Sequence, residues 1–74
     1  MTHQPTILTE EQAQQLASIL GCCIAADRCG DVYWFANLPN NLEGYWSDDD
    51  GMFELLPIRI LSTRPWTEQI WRPE

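Results

Sequence analysis

The sequence predicts an α+β domain: one N-terminal helix packed on an antiparallel β-meander of three or four short strands. Three observations carry this reading. Thr9-Glu-Glu-Gln12 is a capping box that opens an apolar stripe at helical spacing, and Gly21 closes it. Ile24 to Ala36 reads as a β-hairpin. An apolar run reaches Asp27, the chain turns through Arg28, Cys29 and Gly30, and a β-branched and aromatic run leaves from Asp31. Finally, 74 residues allow a single domain, 1–74, and eight aromatics let so short a chain fill a core.

Residues 1–7 read as a polar tail. The Thr9 hydroxyl is expected to accept from the Gln12 backbone N–H, with the Gln12 amide oxygen reaching back. Glu10 and Glu11 occupy the first turn, where the helix dipole favours negative charge. Leu8 and Ala13 stand at hydrophobic-staple positions. Ala13, Leu16, Ala17 and Leu20 follow the i, i+3, i+4, i+7 spacing, and Ile19 widens the stripe. Gln12, Gln14, Gln15 and Ser18 are left to face water.

The first strand is expected over 22–27 and the second over 31–38, with Gly30 supplying the positive φ of the turn. Val32, Trp34 and Ala36 share one face of the second strand; Tyr33 and Phe35 share the other. Both faces are apolar, so a single helix covers only one of them. Residues 39–44 read as loop. Tyr45-Trp46 and Met52–Leu56 flank Ser47-Asp-Asp-Asp-Gly51, a second turn, and Pro57 restricts the segment after it to an edge or a break. Ile58–Leu61 alternates as a strand. Thr63–Trp71 fits either a helical turn or an irregular segment that clamps tryptophans onto the sheet.

Charge and motifs exclude several functions. Eleven carboxylates face four arginines and no lysine, a net charge of −7, so no basic groove for nucleic acid is expected. No apolar run approaches the ~20 residues that span a bilayer, and no secretory signal is evident. Cys22, Cys23 and Cys29 make no disulfide framework and offer no zinc spacing, which points to a reducing cytoplasm. His3 is the only histidine, leaving no nucleophile–base pair. Cys29, beside Arg28, is the most reactive thiol expected. Asp48-Asp49-Asp50-Gly51 lacks the alternation of a calcium loop. The glycines punctuate turns and cradle no phosphate. The chain is therefore read as non-enzymatic, with no cofactor and no metal.

The segment Ile24-Ala-Ala-Asp-Arg-Cys-Gly-Asp-Val-Tyr-Trp-Phe35, with Leu38-Pro39 after it, resembles a hairpin of short phage and prophage proteins. These read I-A-V-D-x-D-G-x-V-Y-x-F, then a proline, a central Trp and a C-terminal Trp motif. Trp46 and Trp66-Thr-Glu-Gln-Ile70 take the last two places, and Cys29 stands where the pattern has Asp. The resemblance spans the C-terminal two-thirds of the chain. It implies a small cytoplasmic accessory protein of phage or mobile-element origin, and assigns no residue a role.

Three functions fit these readings. The first is an acidic protein-binding module acting on a host protein, with Trp46, Trp66 and Trp71 as anchors and Asp48, Asp49 and Asp50 as its acidic patch. The second is a small-molecule or nucleotide binder with its pocket at a homodimer interface, since two apolar faces invite self-association. The third is a mimic of nucleic-acid charge.

Overall fold

The computed structural model describes residues 6–42, 45–48 and 51–73. In chain order it contains β1 (Thr6–Thr9), α1 (Glu10–Leu20), β2 (Cys23–Ala26), β3 (Val32–Phe35), β4 (Asn40–Leu42) and β5 (Tyr45–Ser47). Next come β6 (Phe53–Leu56), β7 (Ile58–Leu61), a 3-10 turn over Trp66–Glu68 and β8 (Ile70–Trp71). The class is α+β, as the sequence implies. A four-stranded antiparallel sheet in the order β6-β3-β2-β8 forms its centre, flanked by a parallel β1–β7 pair and an antiparallel β4–β5 pair.

The helix begins where the sequence places it. Thr9 Oγ1 accepts from the Gln12 N–H at 3.2 Å, and the Thr9 N–H donates to Gln12 Oε1 at 2.9 Å. Gly21 ends it in the left-handed region at φ 67°. Ala13 and Ala17 are fully buried, and their small side chains bring α1 close to the sheet. Ile19 is 80% exposed and does not widen the stripe. It lies roughly 140° around the helix from the line of Ala13 and Ala17, so it faces away. Leu20 is also exposed. Gln14, expected in water, donates to the Arg72 carbonyl and pins the C-terminal segment to the helix.

The first hairpin forms with its ladder at Cys23↔Phe35, Ile24↔Trp34, Ala25↔Tyr33 and Ala26↔Val32. Asp27 organises its tip. The Asp27 Oδ1 accepts from the N–H groups of Cys29 and Asp31, both at 3.0 Å, while the Gly30 N–H donates to the Asp27 carbonyl. Gly30 has φ 87°, the left-handed geometry the turn requires. Arg59 of β7 then closes over this tip, donating to the Cys29 carbonyl at 3.2 Å and pairing with Asp31 at 3.6 Å.

Three sequence expectations change. Thr6 and Ile7 are not tail: the run Thr6–Thr9 pairs in parallel with Ile58–Leu61, Leu8 opposite Ile60. Residues 1–5, His3 among them, lie outside the described residues. The second turn does not join two neighbouring strands. β5 pairs back onto β4, whose residues 40–42 were expected as loop, whereas β6 pairs with β3. Within the sheet β2, β3 and β6 follow one another, with the β4–β5 excursion between β3 and β6. β8 then returns to lie beside β2, so the order is that of a Greek key and not the expected meander. Within 63–71 a helical turn forms, as a 3-10 turn over Trp66–Glu68, but Ile70–Trp71 is a strand paired with β2, which neither reading expected.

Two apolar clusters lie on the two faces of the sheet. On the helix side, Ile24, Ala26, Val32 and Trp71 pack with Ala13 and Ala17. On the other side, Cys23, Ala25 and Phe35 are buried, with Tyr33, Trp46 and Ile70 packed against them.

Candidate functional site

The second face of the sheet is covered by the chain itself over only part of its width. Trp46, carried by the β4–β5 hairpin, lies on this face and donates from Nε1 to the Ala26 carbonyl at 3.0 Å. Trp66 meets the Trp46 ring edge-on at 6.3 Å. Together with Ile70 they close the β2–β8 side. Toward β6 the cover ends.

There the side chains of Tyr33, Phe35 and Phe53 form a cluster, with Phe53 5.5 Å from Phe35 and 5.9 Å from Tyr33 between ring centres. Phe35 is buried, but Phe53 is 43% exposed and Leu55, on the same face two residues on, is 60% exposed. Met52 and Tyr45 are exposed as well.

This apolar surface coincides with an open strand edge. β6 is the outer strand of the sheet and, among the described residues, pairs only with β3. The Ala36 N–H donates to the Met52 carbonyl at 3.0 Å. Antiparallel ladders alternate, so Trp34/Glu54 and Val32/Leu56 are the bonded pairs, and Phe53 and Leu55 turn their N–H and C=O groups to the open side. The Phe53 N–H bends back to the Gly51 carbonyl at 3.1 Å, which leaves Leu55 as the central open position. A strand edge carrying exposed apolar side chains is a template for another strand. The other edge, β8, is two residues long.

The electrostatic setting is acidic. Glu54, exposed between Phe53 and Leu55, points to the helix-side face with Trp34. On the aromatic face, the Tyr33 phenol is held above its ordinary range. Burial is the first cause and the negative charges of Asp27 and Asp31 are the next. No arginine lies on β3 or β6.

The residues expected as anchors are distributed differently. Trp71 is 4% exposed and belongs to the helix-side core, so it cannot serve as a surface anchor. Trp46 and Trp66 are half-buried and engaged with each other and with the sheet. Asp48 is buried, its carbonyl accepting from the Gly51 N–H, and so supplies no exposed charge. Asp49 and Asp50 lie outside the described residues. Phe53, Glu54 and Leu55 were missed. The signal was present: Phe-Glu-Leu alternates at strand period and stops at Pro57, the pattern of an edge.

Two open depressions lie on the helix side. One, of about 230 Å³, is lined by Leu20, Cys22 and Trp34; the other, of about 340 Å³, by residues including Leu16, Ile19 and Ile58. Their walls are mostly apolar; Thr6, Gln12 and Gln15 are the polar residues of the second, with Gln12 engaged in the helix cap, and neither lining includes a charged side chain. Among the described residues, no three His, Cys, Asp or Glu side chains are grouped to hold a metal ion, and no helix is long and apolar enough to cross a membrane. No family model, no curated protein and no solved structure matches this chain.

Proposed function

We propose that this chain is a non-enzymatic protein-binding module that takes up an extended segment of its partner as an added strand along β6. One observation carries the reading: the outward backbone groups of β6 coincide with the exposed side chains of Phe53 and Leu55. In strand addition, main-chain hydrogen bonds provide affinity and the side chains beside them provide selectivity. The resemblance of the hairpin to short phage and prophage proteins fits an accessory role of this kind on a host protein.

The test uses peptides selected from a displayed library on the wild-type chain. Leu55→Pro removes the central outward N–H while leaving the ladder to β3 intact, since edge strands tolerate proline on their open side. Selected peptides are expected to slow hydrogen exchange at Leu55 and to lose binding to Leu55→Pro. Peptides that bind both chains equally, with unchanged exchange along β6, would place the interface elsewhere.

A further inference from the structure

We infer that the strand accepted by β6 is basic: an extended segment with two apolar residues flanking a lysine or arginine. This rests on strand addition at β6 and specifies what is added. Residues opposite one another on neighbouring strands point to the same face. Partner residues opposite Phe53 and Leu55 therefore fall on the aromatic face, beside Phe53, Leu55 and the half-buried Tyr33. The partner residue between them falls opposite Glu54, on the helix-side face. An opposite charge across that pair is favourable and a like charge is not. The net charge of −7 acts in the same direction at longer range, speeding the approach of a basic chain.

The same geometry disfavours a second copy of this chain. Matching faces allow three antiparallel registers of β6 with itself. Phe53 opposite Leu55 sets Glu54 against its own copy. Leu55 opposite Leu55 brings Phe53 against Pro57, which has no N–H to donate. Phe53 opposite Phe53 brings Leu55 against Gly51, whose φ of 68° is not extended. Each register also brings together two chains of the same large negative charge. A basic strand meets none of these obstacles.

The test titrates short capped peptides with Val-Lys-Val, Val-Gln-Val or Val-Glu-Val at the centre into isotope-labelled protein and tracks backbone amide shifts. The lysine peptide is expected to bind most tightly, the glutamate peptide about threefold to tenfold more weakly. Glu54→Lys is expected to reverse that order. N-methylation of the central peptide residues should abolish binding, a control that leaves the protein untouched. Equal affinity for all three peptides, with Phe53 and Leu55 amides still shifting, would overturn the basic partner and leave strand addition standing. No shift along β6 with any peptide would overturn both. Concentration-dependent broadening confined to β6 without peptide would assign the edge to a second copy and overturn the inference.

Discussion

The Arg64 guanidinium lies 5.0 Å from the centre of the Trp71 ring and pairs with Glu10 at 2.6 Å. Glu10 opens the helix, and Trp71 ends the strand that pairs with β2, so one arginine ties the first turn of α1 to the C-terminal segment. Ser62 joins them, donating from Oγ to Glu10 and accepting from the Arg64 N–H. Both charges are partly exposed, which screens the pair. Arg64→Ala is expected to lower stability by about 1 kcal/mol, combining an exposed cation–π contact with a screened ion pair. Urea denaturation of Arg64→Ala, Glu10→Gln and the double variant measures the coupling. Strictly additive losses would show that the pair contributes nothing.

Gly30 carries a second prediction. At φ 87° a side chain is strained, and a Cβ built there would sit 2.5 Å from Arg59 Nη1. Gly30→Ala must therefore displace the arginine that closes the hairpin tip as well as strain the backbone. A loss of about 1–2 kcal/mol is expected from the conformation alone. In an Arg59→Ala background the strain remains while the clash disappears, so the same substitution should cost less there. An equal cost in both backgrounds would show that Arg59 moves aside freely.

Trp46, Trp66 and Trp71 should separate by burial. Trp71→Ala empties part of the helix-side core and is expected to cost about 3–5 kcal/mol, enough to unfold a marginal domain. Trp46→Phe keeps most of the ring and loses the donor to the Ala26 carbonyl, for about 1–2 kcal/mol. Trp66→Ala, at a half-buried ring, should cost less than Trp71→Ala. Thermal melts of the three variants give the ranking. Trp66→Ala as damaging as Trp71→Ala would mean that the C-terminal clamp, and not the helix-side cluster, dominates the core.

The local elements of this fold were legible because their signals are local. The Thr9–Gln12 box, Gly21 and the Asp27–Gly30 turn each act within a few residues, and each forms as read. Pairings between distant segments were not legible. Nothing within Thr6–Thr9 says that it will lie parallel to Ile58–Leu61, because either strand satisfies its pattern beside any apolar neighbour. The same limit hid the candidate site. Trp71 is as aromatic as Phe53, but only the register shows that Trp71 lies beneath the helix and Phe53 at an open edge. The apolar second face of the Tyr33–Phe35 strand does require a cover beyond the helix. The β4–β5 hairpin supplies part of it through Trp46.

The cysteines yield a prediction about alkaline pH. Burial raises the Cys22 and Cys23 thiols above the ordinary value of 9.0, with Cys23 adding to the effect at Cys22 and Arg72 opposing it at Cys23. A thiol raised on folding holds its proton longer in the native state than in the unfolded chain. Its contribution is therefore fully present below pH 9.0 and is lost as the pH rises through the folded value. Stability should fall with pH over that window, by no more than about 1.4 kcal/mol per pH unit for each thiol. Tyr33, raised from 10.0, extends the decline to higher pH. Urea midpoints measured from neutral to alkaline pH should flatten in Cys22→Ala/Cys23→Ala, and further when Tyr33→Phe is added. At fixed pH, exposed Cys29 should react with a thiol reagent before buried Cys23. An alkaline slope unchanged in the double variant would assign the loss to other groups, and simultaneous labelling of all three cysteines would mean that the Cys23 strand opens as readily as the hairpin tip.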